Sequence, residues 1–292
     1  MLARRSPFTL MVAGAFILGL TLATSSCIDV DHYLGFGEKV GVVEIKGLLS
    51  EARPVLEELR RFQHDRRIKA IVLRVNSPGG AVTPAQEIMR EVEKVRGAKK
   101  VVASFGSMAA SGGYYAACSA DLIIASPGTS TGSIGVILRL PNLEQLAKKL
   151  GVDVQTLQAG ALKDIGSPFH PMTPEERAAL QKLLDNIHRQ FIRDVARHRK
   201  LPEDKVKALA DGNVLTGEEA KHLGLVDELG NYQDAVERAG RLGGIKGKVE
   251  TVTPEKKGIS LLRLLLGLDA EKTLRDLTIL APEPALLPPW YR

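Results

Sequence analysis

Residues 68–80 read IKAIVLRVNSPGG and residues 100–113 read KVVASFGSMAASGG. Each opens as a run rich in β-branched and apolar residues and closes on a cluster of small residues with paired glycines. Between them Val82–Val95 carries Ile88, Val92 and Val95 at helical spacing. Strands alternating with a helix at this spacing argue for parallel strands joined by a crossover. The pattern extends outward on both sides. Lys39–Ile45 (KVGVVEI) reads as a buried strand, and residues 53–64 place Val55, Leu56, Leu59 and Phe62 on one helical face. Asp121–Ala125 gives a fourth strand after an Ala-rich helix that begins near Ser111. The expected class is α/β, a mainly parallel sheet with flanking helices.

Farther along, Val152–Gln158 (VDVQTLQ) alternates as a strand should. A long helix starts at Thr173, where Thr173 and Glu176 form a capping box and Pro174 takes the first helical position. Its apolar stripe is Leu180, Leu184, Ile187, Phe191 and Val195. Residues 214–229 suggest a turn, a short helix and a strand, and residues 232–241 another helix. The boundaries drawn are an N-terminal segment 1–27, a linker 28–38, a folded domain 39–250 and a Leu- and Pro-rich tail 251–292.

The N-terminal segment sets the expected topology. Arg4 and Arg5 precede an uncharged apolar run from Phe8 to about Ser26, and Asp29 and Asp31 follow. A run of roughly 20 residues spans a bilayer as a helix, with its positive flank kept inside. Cleavage after the small residues before Cys27, or lipid attachment at Cys27, are the alternatives; all three export the domain. Hydrophobic residues make up 44% of the 292 and charged residues 25%, enough for a sizeable core. The net charge of +6 is mild, and no Lys/Arg cluster is interleaved with aromatics, which argues against nucleic acid as a partner. Two cysteines, Cys27 and Cys118, neither define a disulfide framework nor show metal-ligand spacing.

The chemistry concentrates in Gly106–Val136. Ser111 stands where strand gives way to helix, with small residues before it and Gly112 and Gly113 after it. Such neighbours permit a strained turn that leaves the hydroxyl reachable, a relaxed nucleophile elbow. The Gly112 N–H, at the helix start, is placed to meet an oxyanion. Asn76–Gly80 ends its strand at the same sheet edge, where Gly80 offers a second donor and Gly79 holds the turn. Taken singly, Ser111 also reads as an ordinary helix cap and Ser77-Pro78-Gly79-Gly80 as an ordinary turn.

Together with TGSIGV at 131–136 and KDIGSP at 163–168, NSPGG at 76–80 and GSMAASGGYY at 106–115 resemble the signal peptide peptidase A family, in its short, single-domain bacterial form. A weaker likeness, through the paired-glycine turn and a following serine, reaches Clp protease and the crotonase fold. The resemblance implies a crotonase-like α/β fold and a serine endopeptidase without metal or organic cofactor. By it Ser111 is the nucleophile, Lys163 the general base, Ser133 the group that hydrogen-bonds the lysine, and the N–H groups of Gly80 and Gly112 the oxyanion hole. It further implies apolar peptide substrates such as cleaved signal peptides, at the outer face of the bacterial cytoplasmic membrane. A homo-oligomer with sites shared between subunits is also implied. The alternatives are a related Ser–Lys peptidase working with stomatin-like partners, an acyl-coenzyme A enzyme, or a silent peptide-binding scaffold.

A lysine base must be neutral, although a free lysine with a pKa near ~10.4 is charged at neutral pH. Burial lowers that by up to ~3–5 units, and Gly160, Ala161, Leu162 and Ile165 suit an apolar pocket. Asp164 opposes this unless an extended backbone turns it to the other face. His170 is the rival base, being the histidine nearest the Lys163 segment; the others are read as solvated.

Overall fold

The computed structural model describes residues 37–254. The anchor or signal segment 1–27, most of the linker, and the Leu- and Pro-rich part of the tail lie outside the described residues. Among the described residues no helix is long and apolar enough to cross a membrane.

The expected strand and helix runs form in order: β1 (Lys39–Lys46), α1 (Arg53–His64), β2 (Ile68–Ser77), α2 (Val82–Val95), β3 (Lys100–Ala110), α3 (Gly112–Ala117) and β4 (Leu122–Ala125). There follow β5 (Ser130–Gly132), α4 (Glu144–Lys149), α5 (Pro174–Arg199), α6 (Glu203–Leu209), β6 (Val214–Thr216), α7 (Gly217–Leu223), β7 (Glu228–Leu229), α8 (Tyr232–Leu242) and β8 (Glu250–Val252). One mixed sheet runs β6-β5-β3-β2-β1-β8, with β4 paired to β3 and β7 to β4. Every pairing is parallel except β5 with β6.

Strands buried on both faces read as continuous apolar runs, because successive side chains point to opposite sides. Val43, Ile45, Ile71 and Leu73 meet Leu59, Phe62, Ile88 and Val92 of α1 and α2 on one face. Val40, Val42, Val72 and Val102 meet Ala235, Val236 and Ala239 of α8 on the other. Cys118 is fully buried.

β3 runs past Phe105 into the small-residue cluster, and this matters for the site. Residues 102–104 pair with β4, whereas Met108–Ala110 pair with β5. Gly106 reads locally as a stop, yet a second partner strand carries β3 through it. Thr129 and Thr131 fasten that fork by donating to the Gly106 and Ala109 carbonyls at 2.8 and 2.7 Å. The strand expected at 152–158 does not form: Val152, Val154 and Leu157 are 51%, 42% and 100% exposed. Alternation favours a strand only where a sheet edge is at hand, and no described strand borders this segment. The capping box of Thr173 and Glu176 starts α5 as expected, but only the C-terminal half of its stripe, from Phe191 to Ala196, is buried.

Candidate active site

Ser111 sits between the last residue of β3 and the first turn of α3, with φ 51° and ψ −120°. A non-glycine residue there stores of order ~1–3 kcal/mol and persists only when its surroundings dictate it. They do so on both sides. Its N–H donates to the Gly132 carbonyl at 2.9 Å, and its own carbonyl accepts the Tyr115 N–H at 2.9 Å. The result is a sharp strand-to-helix elbow at the C-terminal edge of parallel strands, with Ser111 6% exposed.

The Asn76–Gly80 turn interlocks with this elbow through missing side chains. A Cβ on Gly79 would lie 2.9 Å from both the Gly112 nitrogen and the Ser111 Cβ. One on Gly80 would lie 2.1 Å from the Leu49 carbonyl oxygen, and one on Gly113 3.0 Å from that of Ser77. Leu49 holds the turn by donating to the Gly79 carbonyl and accepting from the Ala81 N–H, both at 2.8 Å. The Ser77 hydroxyl accepts the Gly79 N–H at 3.1 Å. Among the described residues neither the Gly80 nor the Gly112 N–H has an acceptor. Their close approach is visible in the Cβ position of Gly112, 3.1 Å from the Gly80 nitrogen.

Ser133 follows the carbonyl that holds Ser111 and has a similar backbone, φ 50°. Its N–H donates to the Asn213 carbonyl at 2.7 Å, so the β5–β6 junction fixes it. A small recess beside Ser111 is lined by Val82, Tyr115, Ile187 and Phe191. Tyr115 stacks on Phe191 with ring centres 4.1 Å apart, donates to Asp194 at 2.6 Å and accepts from Gln86 at 3.1 Å. Burial first, and the Asp194 carboxylate second, push its phenol pKa well up, so it stays neutral. These lining residues were not read from the sequence. Tyr115 stands four residues after Ser111, one helical turn beneath it, and that spacing was the available signal.

The structure thus brings together Ser111, Gly79, Gly80, Gly112, Gly113 and Ser133. Lys163 makes no side-chain hydrogen bond or ion pair with any of them. Lys163 is exposed, has no side-chain hydrogen bond or ion pair among the described residues, and is absent from the recess. The described residues form no apolar pocket around it, since Gly160, Ala161 and Leu162 are exposed too. Nor is the segment extended. It winds through successive turns, with the Lys163, Ile165 and Ser167 N–H groups donating to Gly160, Leu162 and Asp164. Asp164 is instead occupied by His170, whose Nε2 lies 3.3 Å from Asp164 Oδ2 and 3.8 Å from Glu176 Oε1. His170 Nδ1 faces the Pro171 carbonyl at 2.9 Å. That carbonyl, with the two carboxylates, raises the pKa of His170 above the ordinary imidazole value. His188 and His198 are half-buried rather than solvated.

The profile of peptidase family S49 matches residues 93–246. A candidate protease of Synechocystis sp. is 40% identical over 245 residues, covering 82% of this chain and 87% of that protein. A candidate signal peptide peptidase SppA of Enterococcus faecium is 39% identical over 183 residues, 62% of this chain and 53% of that protein. Protease 4 of Salmonella typhi is 41% identical over 190 residues, 65% of this chain and 31% of that protein.

Proposed function

Because this chain belongs to peptidase family S49 and is a serine-type peptidase, we propose that Ser111 is its nucleophile and Lys163, supplied by a neighbouring copy, its general base. The observation that carries this reading is the strained Ser111 elbow facing two unspent backbone donors, Gly80 and Gly112. Ser111 Oγ attacks the scissile carbonyl and passes its proton to the Lys163 amine. The carbonyl oxygen becomes an oxyanion held by the two N–H groups, a contribution worth of order ~3 kcal/mol per donor. Collapse expels the leaving amine, which takes the proton from Lys163, and water repeats the sequence to release the acyl group. Ser133, beside the elbow, orients the lysine.

A shared site follows from where Lys163 sits. It belongs to residues 137–172, which expose Leu146, Leu150, Leu157 and Leu162 at 54%, 71%, 100% and 44%. Apolar side chains clustered on one segment favour burial against another chain. Seating that segment on a second copy would also desolvate the Lys163 amine, lowering its pKa into the range a base requires.

The recess beside Ser111 is apolar, which supports short or unfolded apolar peptides as substrates, remnants of signal peptides among them. The N-terminal segment supports anchoring at the outer face of the cytoplasmic membrane, and the fold is read as crotonase-like. A fluorophosphonate probe tests the chemistry: labelling confined to Ser111, with cleavage of apolar peptides lost in Ser111→Ala, is expected. An unlabelled but folded protein would overturn the assignment.

A further inference from the structure

We propose that the cavity on the sheet face opposite Ser111 binds the C-terminal carboxylate of a peptide, with Arg74 as the residue that holds it. The recess beside Ser111 lies among α2, α3 and α5, whereas Arg74 and Ser104 point to the other face, towards α8. There a cavity of about 610 Å³ is lined by Arg74, Ser107, Thr129 and Tyr232 among others. That volume falls in the range of small-ligand sites.

Arg74 is prepared for an anion. Its Nη1 donates to the Ser104 hydroxyl and the Phe105 carbonyl, both at 2.9 Å. Its guanidinium lies over the Tyr232 ring, 5.4 Å from the centre. Those contacts fix the plane of the group and leave Nε and Nη2 without a partner among the described residues. An immobilised guanidinium edge matches the two oxygens of a carboxylate. Among the described residues no acidic one lines the cavity. Glu44, opposite Arg74 in the β1–β2 register, is exposed and makes no ion pair with it. The other polar groups are largely committed: Thr129 donates to Gly106, and the Asn231 side chain caps α8. Arg74, Ser107 and the Asn231 amide nitrogen remain as donors without a partner among the described residues.

One cation suits one carboxylate better than a phosphate dianion, which usually recruits several. A peptidase also generates a new peptide carboxylate at every cut. This proposal rests on peptidase activity alone and not on the Ser–Lys assignment.

The test uses the full chain and N-acetyl-Leu-Ala, a dipeptide with a free C-terminus, against its C-terminal amide and inorganic phosphate, with binding read by calorimetry. The acid should bind at least tenfold more tightly than the amide. In Arg74→Gln and in Ser107→Glu, which places a competing carboxylate in the cavity, the two should fall within twofold of each other. Equal binding of acid and amide by wild type overturns the proposal, as does a preference that survives both substitutions. Tighter binding of phosphate than of the acid overturns it in favour of a phosphate site. Should Arg74→Gln fail to fold, Ser107→Glu decides alone, since it leaves the contacts of Arg74 in place.

Discussion

Ser111 and Ser133 share a left-handed backbone, φ 51° and 50°, and are tied together because the Ser111 N–H donates to the carbonyl of Gly132, the residue before Ser133. Two strained serines side by side at the open edge of a parallel sheet are costly to maintain. The forked β3 strand maintains them. Its last three residues leave β4 and pair with β5, which brings the residues before the two serines into register.

The strain at Ser111 separates stability from activity. Glycine adopts this backbone freely, so Ser111→Gly should relieve more strain than it loses to the greater freedom of the unfolded chain. A net gain of about 1 kcal/mol over Ser111→Ala corresponds to roughly 2–4 °C in Tm for a domain of this size. Both variants should lose peptidase activity by at least ~1000-fold. Thermal melts of the pair provide the check; a Ser111→Gly protein that melts below Ser111→Ala would mean that the elbow is not strained.

Gly80→Ala should fail in a different way. Its Cβ would lie 2.1 Å from the Leu49 carbonyl oxygen, a contact that backbone must move to accommodate. The displaced N–H would no longer meet the oxyanion, and kcat should drop about 100–1000-fold with a smaller change in KM. A cost in stability of about 1–3 kcal/mol accompanies this overpacking. Steady-state kinetics on an apolar peptide, with a urea melt alongside, distinguish the two effects.

Much of this site was legible because local rules and tertiary structure agree. The helices at 53–64 and 82–95 begin and end where periodicity puts them, and the Thr173–Glu176 capping box starts α5. Both Gly-rich turns were read as parts of one site at the sheet edge, and a Cβ on Gly79 would lie 2.9 Å from the Gly112 nitrogen. What local pattern could not reveal depends on partners distant in sequence. β3 passes through Gly106 because β5 awaits it, and 152–158 stays irregular because nothing pairs with it. Phe191 and Ile187 reach Ser111 from a helix some 75–80 residues away, and no spacing rule links them. The environment of Lys163 was read from its apolar sequence neighbours, whereas burial is decided by neighbours in space.

His170 gives a pH test that also disposes of the rival base. Its pKa is raised, first by the Pro171 carbonyl and then, against an opposing desolvation, by Glu176 and Asp164. A raised pKa contributes stability that is fully present below the unfolded value, near ~6.5, and is lost as pH climbs through the folded one. The Tm of wild type should therefore exceed that of His170→Gln below about pH 6, with the two curves converging at higher pH. Peptidase activity at alkaline pH should be retained in His170→Gln and abolished in Lys163→Ala. The opposite pattern of activity would make the histidine the base.

Complementation reads the shared site directly. Ser111→Ala and Lys163→Ala proteins should each be inactive, yet a reassembled equimolar mixture places an intact serine beside a neighbour's intact lysine in about a quarter of sites by random pairing. Recovery of activity towards that fraction is expected; recovery of none would confine Lys163 to its own chain's serine or to no serine at all. The exposed leucines supply the control. Leu157, fully exposed in the single chain, contributes little to its own core, so Leu157→Glu should leave the folded domain's Tm unchanged. Burying that carboxylate against a second copy costs several kcal/mol, and the variant should elute as a smaller species, lose activity, and fail to complement either partner. A Leu157→Glu protein that stays assembled and active would separate this segment from the subunit contact, and leave the exposed Lys163 without the desolvation its role requires.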